Sequence, residues 1–207
     1  MDITQTPQTP TPLRIAVVTG STRPNRRSLL VAEWTRERAV QALGDRAAVT
    51  LVDIADFDLP LLDEPVAAAV GEYTRPHTVR WARTIDEFDG FVFTTPEYNH
   101  SMPAAVKNAI DYLFSEWNDK AAGFVSYGLD GGIRAVEHLR LTLAEVKVAC
   151  VRSHVALRLS DDFDLTSMIE PGTVCPGPRA EAILDRMLDE LVAWSSALAT
   201  LRVGKQS

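Results

Sequence analysis

Gly20-Ser21-Thr22-Arg23-Pro24-Asn25-Arg26-Arg27-Ser28 is the stretch on which the fold turns. The apolar run 13–18 ahead of it reads as a buried strand, and a helical pattern starts near Leu29 directly after it. A strand, a polar turn and a helix start, in that order, are the parts of a phosphate pocket. Helix-start N–H groups point outward without partners and carry partial positive charge, and hydroxyls and guanidiniums add directed donors. The net charge of the chain is −7, so Arg23, Arg26 and Arg27 are a local cluster and not part of a general basic bias. An ordinary polar loop with solvated arginines is the other reading of the same residues.

What the turn lacks narrows the ligand. No Gly-x-x-x-x-Gly-Lys-Ser/Thr is present, which argues against a nucleoside triphosphate with its magnesium site. No Gly-x-Gly-x-x-Gly is present either, the pattern that lets bare backbone approach a pyrophosphate. Side chains stand where those glycines would be, and they suit a terminal phosphate monoester with three free oxygens.

Working outward, further apolar runs at 47–52, 90–95, 121–126 and 147–157 alternate with helical patterns. The helix spanning 103–114 carries Val106, Ala109, Ile110 and Leu113 on one stripe. The one at 133–146 carries Val136, Leu139 and Leu143, and the one at 178–201 carries Leu184, Met187, Leu188 and Leu191. Near-continuous apolar strands imply burial on both faces, as in a parallel sheet. Strand–helix alternation repeated five times predicts a doubly wound α/β domain with a five-stranded parallel sheet and helices on both faces. The domain is expected over 13–203, after a Thr/Gln/Pro-rich tail at 1–12 that reads as disordered. Segments 55–76 and 160–178 fit neither period. Connections that long commonly bind something, so each is read as a site wall or subunit contact, with a solvated loop as the alternative.

Composition bounds the function. A chain of 207 residues with 46% hydrophobic and 24% charged content suits one globular domain. No apolar run reaches the roughly 18–20 residues of a membrane span, and no signal peptide is legible. The acidic balance argues against nucleic acid as a partner. Cys150 and Cys175 lack metal spacing; Cys150 sits in an apolar run and reads as inert core, and the default compartment is the reducing cytoplasm. His77, His138 and His154 are scattered without metal spacing, and no Gly-x-Ser-x-Gly elbow surrounds Ser21. Lys107 and Asp111, four apart, read as a solvated pair, and Trp117 as a packing residue or one reaching a neighbouring subunit's site.

In an open parallel sheet, ligands bind beyond the carboxyl ends of the strands. Three loops leave such ends: the arginine turn, the polar and aromatic 94–103, and the glycine-rich 126–132. Together they describe a site for a planar heterocycle carrying a phosphorylated side chain. Gly20-Ser21-x-Arg23-x-x-Arg26, Pro96-Glu97-Tyr98-Asn99-His100-Ser101-x-Pro103, Lys107-Asn108-Ala109-Ile110-Asp111, Ser126-Tyr127-Gly128 with Gly131-Gly132, and Pro60-Leu61-Leu62-Asp63-Glu64-Pro65 resemble the NADPH-dependent FMN reductase family. The resemblance covers roughly 13–157; the block 96–111 is its most specific part, and nothing after Leu157 matches.

The resemblance implies a flavodoxin-like fold with strand order 2-1-3-4-5. It implies that Ser21, Arg23, Arg26 and Ser28 hold the FMN phosphate, with Arg27 the alternative to Arg26. Pro96, Glu97, Tyr98 and Asn99 would line the isoalloxazine edge, with backbone near Asn99 orienting the ring. Ser126, Tyr127 and Gly128 would flank the ring or ribityl chain. His100 would stand near the flavin or bond its own backbone. The implied activity is oxidoreduction from NADPH (or NADH) through FMN to a small acceptor by ping-pong kinetics, with no catalytic side chain and no metal, in a homodimer or homotetramer. An FMN-binding electron carrier and a pathway-specific flavoenzyme are the alternatives.

Overall fold

The computed structural model describes residues 12–167 and 169–203; the expected tail thus lies, but for Pro12, outside the described residues. β1 (Leu13–Thr19) pairs in parallel with β2 (Ala47–Asp53) on one side and with β3 (Gly90–Pro96) on the other. β4 (Lys120–Gly128) continues beside β3 and carries the outer strands. With β5 (Val148–Cys150) outermost, the order β2-β1-β3-β4-β5 is the doubly wound, flavodoxin-like one. The chain reverses direction across the sheet between β1 and β3, which opens a crevice above their carboxyl ends.

Side-chain alternation divides the core into two layers. On one face Ala16, Val18, Phe91, Phe93 and Phe124 pack under α2 (Pro76–Asp86), α3 (Ala104–Asp111) and α4 (Ile133–Glu145). On the other, Ile15, Val17, Val92 and Val125 pack under α1 (Ser28–Leu43) and α5 (Pro178–Val203). Each central strand is thereby covered on both sides, the reason its sequence is almost wholly apolar. Among the described residues no helix is long and apolar enough to cross a membrane.

The expected fifth strand is two. β5 (Val148–Cys150) and β6 (Val155–Arg158) both pair with β4. Between the registers Ala122↔Cys150 and Val125↔Val155, β4 advances three residues and its neighbour five. The surplus bulges out at Arg152-Ser153-His154, where Ser153 donates its N–H and hydroxyl to the Glu190 carboxylate of α5 at 3.1 and 2.6 Å. Beyond it, a two-residue antiparallel pair, β7 (Phe163–Asp164) with β8 (Thr173–Val174), gives the irregular 160–178 a base.

α2 starts with Pro76 at its first turn, where a missing N–H costs nothing; it buries Thr78, Trp81, Ala82 and Ile85 on one stripe. Trp117 is fully buried against Trp81, Phe91 and Phe93, and its indole N–H donates to the Ile110 carbonyl at 3.2 Å, so it is a packing residue. Segment 55–76 is tied to α3. The Asn108 amide donates to the Pro60 carbonyl at 2.6 Å and accepts from the Leu62 N–H at 3.0 Å. The Tyr112 hydroxyl donates to Asp63 at 2.9 Å.

Candidate functional site

β1 ends in a chain of bonds that shapes the arginine turn. Gly20 donates its N–H to the Thr94 carbonyl at 2.7 Å. A Cβ built on Gly20 would sit 2.7 Å from that same oxygen, so β1 and β3 approach too closely there for any side chain. Thr19 and Asp53 are in register across β1 and β2, and the Thr19 hydroxyl donates to the Asp53 carboxylate at 2.7 Å. Asp53 in turn accepts from the Arg26 guanidinium in a largely buried ion pair. The pair fixes Arg26 over the sheet end and leaves its Nε–H buried without a partner.

The three arginines have separate fates. Arg26 is held by Asp53. Arg27 donates from Nε to the Pro171 carbonyl at 3.0 Å and from Nη2 to the Glu170 carbonyl at 2.9 Å. Arg23 is exposed, and its guanidinium makes no hydrogen bond or ion pair among the described residues. No side chain caps the start of α1, so its first-turn N–H groups keep their partial positive charge.

The second loop is a tight hairpin turn. Tyr98 and Ser101 exchange N–H···O bonds of 3.0 and 3.1 Å, and Asn99 and His100 between them have φ of 51° and 63°. Two left-handed central residues make a type I′ turn, for which asparagine is well suited. The turn is anchored on both sides. The Tyr98 hydroxyl lies 2.9 Å from Ser21 Oγ, tying this loop to the arginine turn. The Glu97 carboxylate accepts from the Arg134 backbone N–H at 3.0 Å and from its guanidinium at 2.7 Å, closing the start of α4. Ser101 Oγ lies 2.8 Å from His138 Nδ1.

The third loop folds back under itself. Ser126 is buried and donates its hydroxyl to the Gly131 carbonyl at 2.6 Å. Gly132 has φ of 71°, and a Cβ there would meet the Tyr127 carbonyl at 2.8 Å. Tyr127 is buried, and burial, with the Tyr98 phenol beside it, pushes its hydroxyl well above the usual tyrosine range, so the ring is a neutral wall.

The three loops enclose a cleft of about 440 Å³, within the usual size of ligand sites. Arg23 and Arg26 of the first loop, Pro96, Glu97 and Tyr98 of the second, and Tyr127 and Gly128 of the third line it. Of the residues expected at the site, Ser21, Ser28, Asn99 and Ser126 do not line it. Ser21, Ser28 and Ser126 are buried and brace the loops: Ser21 Oγ accepts the Arg23 N–H at 3.3 Å and Ser28 donates to the Ser21 carbonyl at 3.3 Å. Asn99 is at the turn apex. Sequence reasoning missed Asp53, whose signal was an acidic residue ending the strand beside β1. It also missed Leu159 and Ile169, which line the cleft from segments outside the matched motifs.

No group of His, Cys, Asp and Glu among the described residues could hold a metal. His77 is bound to Asp63 at 2.9 Å, and Lys107 to Asp111 at 2.5 Å on an exposed face. Burial pushes the Cys150 thiol up to about 11, so it is inert at neutral pH.

An anion with an apolar, planar body suits this donor set. A guanidinium uncommitted among the described residues lines the cleft on the turn that leads into the uncapped α1, and Pro96, Tyr98, Tyr127, Gly128, Leu159 and Ile169 give the cleft aromatic and apolar surface. Residues 13–162 match the family described as NADPH-dependent FMN reductase. The chain is 34% identical over 166 residues to an NAD(P)H-dependent FMN reductase of Nectria sp, covering 78% of this chain and 83% of that one. It is 35% identical over 148 residues to a quinone reductase of Pseudomonas putida, covering 67% and 73%. Among solved structures, the flavoenzyme NAD(P)H:(acceptor) oxidoreductase FerB of Paracoccus denitrificans shares the fold, with a TM-score of 0.65 at 22% identity over 89% of this chain and 98% of that one. Family match and relatives agree with the cleft: this chain belongs to the NADPH-dependent FMN reductase family, an oxidoreductase family whose cofactors are FMN and NAD(P)H.

Proposed function

We propose that this protein passes reducing equivalents from NAD(P)H through bound FMN to a small planar acceptor, with nicotinamide and acceptor using the same cleft in turn. A quinone is the acceptor class we favour, since the cleft is walled by Tyr98, Tyr127 and Pro96 and a similar protein of Pseudomonas putida is a quinone reductase. Azo compounds, free flavin and metal ions are the other acceptors this chemistry serves. The observation that carries the reading is the Arg23 guanidinium, uncommitted among the described residues, lining that cleft on the turn that leads into the uncapped α1.

FMN, when bound, supplies hydride acceptance from nicotinamide and electron donation to the acceptor. The chain supplies position. Arg23, Arg26 and the first N–H groups of α1 would hold the phosphate, each charge-assisted bond worth about 1.5–3 kcal/mol. Ser21 and Ser28 keep that turn in shape. Pro96, Glu97 and Tyr98, with the Asn99 backbone at the turn, would edge the ring, and Tyr127 and Gly128 would close its far side. No side chain in the cleft is needed as acid or base.

The exposed Leu61, Leu62, Val66 and Val70, on the segment docked to α3, form the surface on which we place homo-oligomer contacts. Both cysteines are free, which suits the cytoplasm we assign.

Anaerobic mixing of the FMN-loaded protein with NADPH tests the reading. Bleaching of the flavin absorbance within the turnover time, restored by a quinone, is expected. A flavin that binds but stays oxidised under NADPH would make the protein an electron carrier. Arg23→Ala is expected to lower FMN affinity by at least tenfold while leaving the unfolding midpoint unchanged; unchanged FMN affinity contradicts the phosphate assignment.

A further inference from the structure

We propose that residues 159–167 and 169–177 form a wall of the cofactor cleft and that Arg27 is the positioning residue that pins this wall, rather than a ligand of the phosphate; the proposal rests on the reading of the cleft as an FMN site. The family match ends at residue 162, so most of the wall lies outside the shared part of the chain.

The wall has a firm base. β7 and β8 pair antiparallel, and the Cys175 N–H donates to the Asp162 carbonyl at 2.9 Å. Phe163 is buried with its ring centroid 5.9 Å from that of Tyr127, which itself lines the cleft. Gly172, at φ of 73°, lets the returning strand pass the Asp164 carbonyl, which a Cβ would meet at 2.4 Å. From this base the backbone reaches the start of α1, where Arg27 grips it through two adjacent donors on the carbonyls of Pro171 and Glu170. A guanidinium is a rigid planar fork. Arg27 lines the cleft as Arg23 and Arg26 do, but its Nε–Nη2 edge is committed to the wall.

Two apolar side chains of the segment then face the cleft. Leu159 is fixed there by its N–H bond to the Gly128 carbonyl at 3.1 Å. Ile169 lines the cleft while remaining 77% exposed. At a cleft wall, that uncovered apolar side chain offers a surface for the apolar body of a ligand. Contact of this kind is with the flavin body and is indifferent to the phosphate.

Riboflavin, which lacks the phosphate, separates the two roles. Flavin-free full-length protein is titrated with FMN and with riboflavin, following flavin fluorescence, for the wild type, Arg27→Ala, Ile169→Ala and Arg23→Ala. Arg27→Ala and Ile169→Ala are expected to weaken both flavins by the same factor, roughly three- to tenfold, leaving the FMN-to-riboflavin affinity ratio at its wild-type value. Ile169 is exposed, so folding is not in question for that variant. Loss of FMN affinity alone in Arg27→Ala would overturn the proposal by making Arg27 a phosphate ligand. Unchanged affinities in either variant would overturn it by removing the wall or its pin. Arg23→Ala reports on the underlying reading: an unchanged ratio there, or a wild type that binds neither flavin, defeats the FMN assignment and this proposal with it.

Discussion

Asp53 carries more of the site than any residue named by a motif. It ends β2, accepts from Thr19 and from its own loop through the Ala55 N–H at 3.0 Å, and holds Arg26. Removing its charge leaves a guanidinium with little solvent and no counter-charge. Asp53→Asn is therefore expected to cost about 2–3 kcal/mol in urea unfolding and to weaken FMN binding by releasing Arg26; an unchanged unfolding midpoint contradicts this. Gly20 is a second fixed point. Gly20→Ala puts a methyl against the Thr94 carbonyl at 2.7 Å, and the overpacking is expected to cost about 1–3 kcal/mol, read from thermal unfolding. At this scale the sequence was partly legible. Motif spacing named Arg23, Arg26, Tyr98 and Tyr127, which line the cleft, together with the serines that brace it, and could not separate the two groups. Ser21, Ser28 and Ser126 spend their hydroxyls on backbone and on Tyr98, and such pairings depend on three-dimensional closeness that spacing does not carry.

Elements followed their hydrophobic periods closely where both faces are buried, as in β1, β3 and β4. The run 147–157 departed because three polar residues, Arg152-Ser153-His154, bulge out to meet Glu190 of α5 and split it into β5 and β6. That signal was present in the sequence, but the partner sits on a distant helix. α2 also carried a readable mark, Pro76 ahead of an apolar stripe, which the acidic and Pro-rich residues before it obscured. One element is held by a buried amine. Lys120, at the start of β4 and 2% exposed, donates to the carbonyls of Ile85 and Asp86 at the end of α2, at 2.9 and 3.2 Å. Burial pulls its pKa down from 10.5 to about 8, against the pull of Asp86. Between pH 8 and 10.5 the unfolded chain therefore binds more protons at this site than the folded one, and stability rises with pH across that window. Relative to Lys120→Met, the wild type should gain on the order of 3 kcal/mol from pH 8 to 10.5. Parallel pH profiles of the two proteins in urea would show it, and a constant difference contradicts it.

The whole molecule puts its chemistry where its topology reverses. Three loops from β1, β3 and β4 meet above the carboxyl ends of the sheet, and each has a brace: the first Asp53, the second Glu97 on Arg134, the third Ser126 on Gly131, with Tyr98 on Ser21 joining the first two. Strand–helix alternation made this architecture legible, since parallel strands allow few arrangements of such connections. The long segments 55–76 and 160–178 were not legible, because their order comes from docking on α3 and on the start of α1 rather than from their own periodicity. The central claim is that the arginine turn holds the phosphate of FMN. The relative affinity of the wild-type, flavin-free protein for FMN and for riboflavin measures that most directly. Preference for FMN by at least tenfold, the worth of one charge-assisted bond of about 1.5 kcal/mol, is the predicted result; equal binding of the two flavins would contradict it.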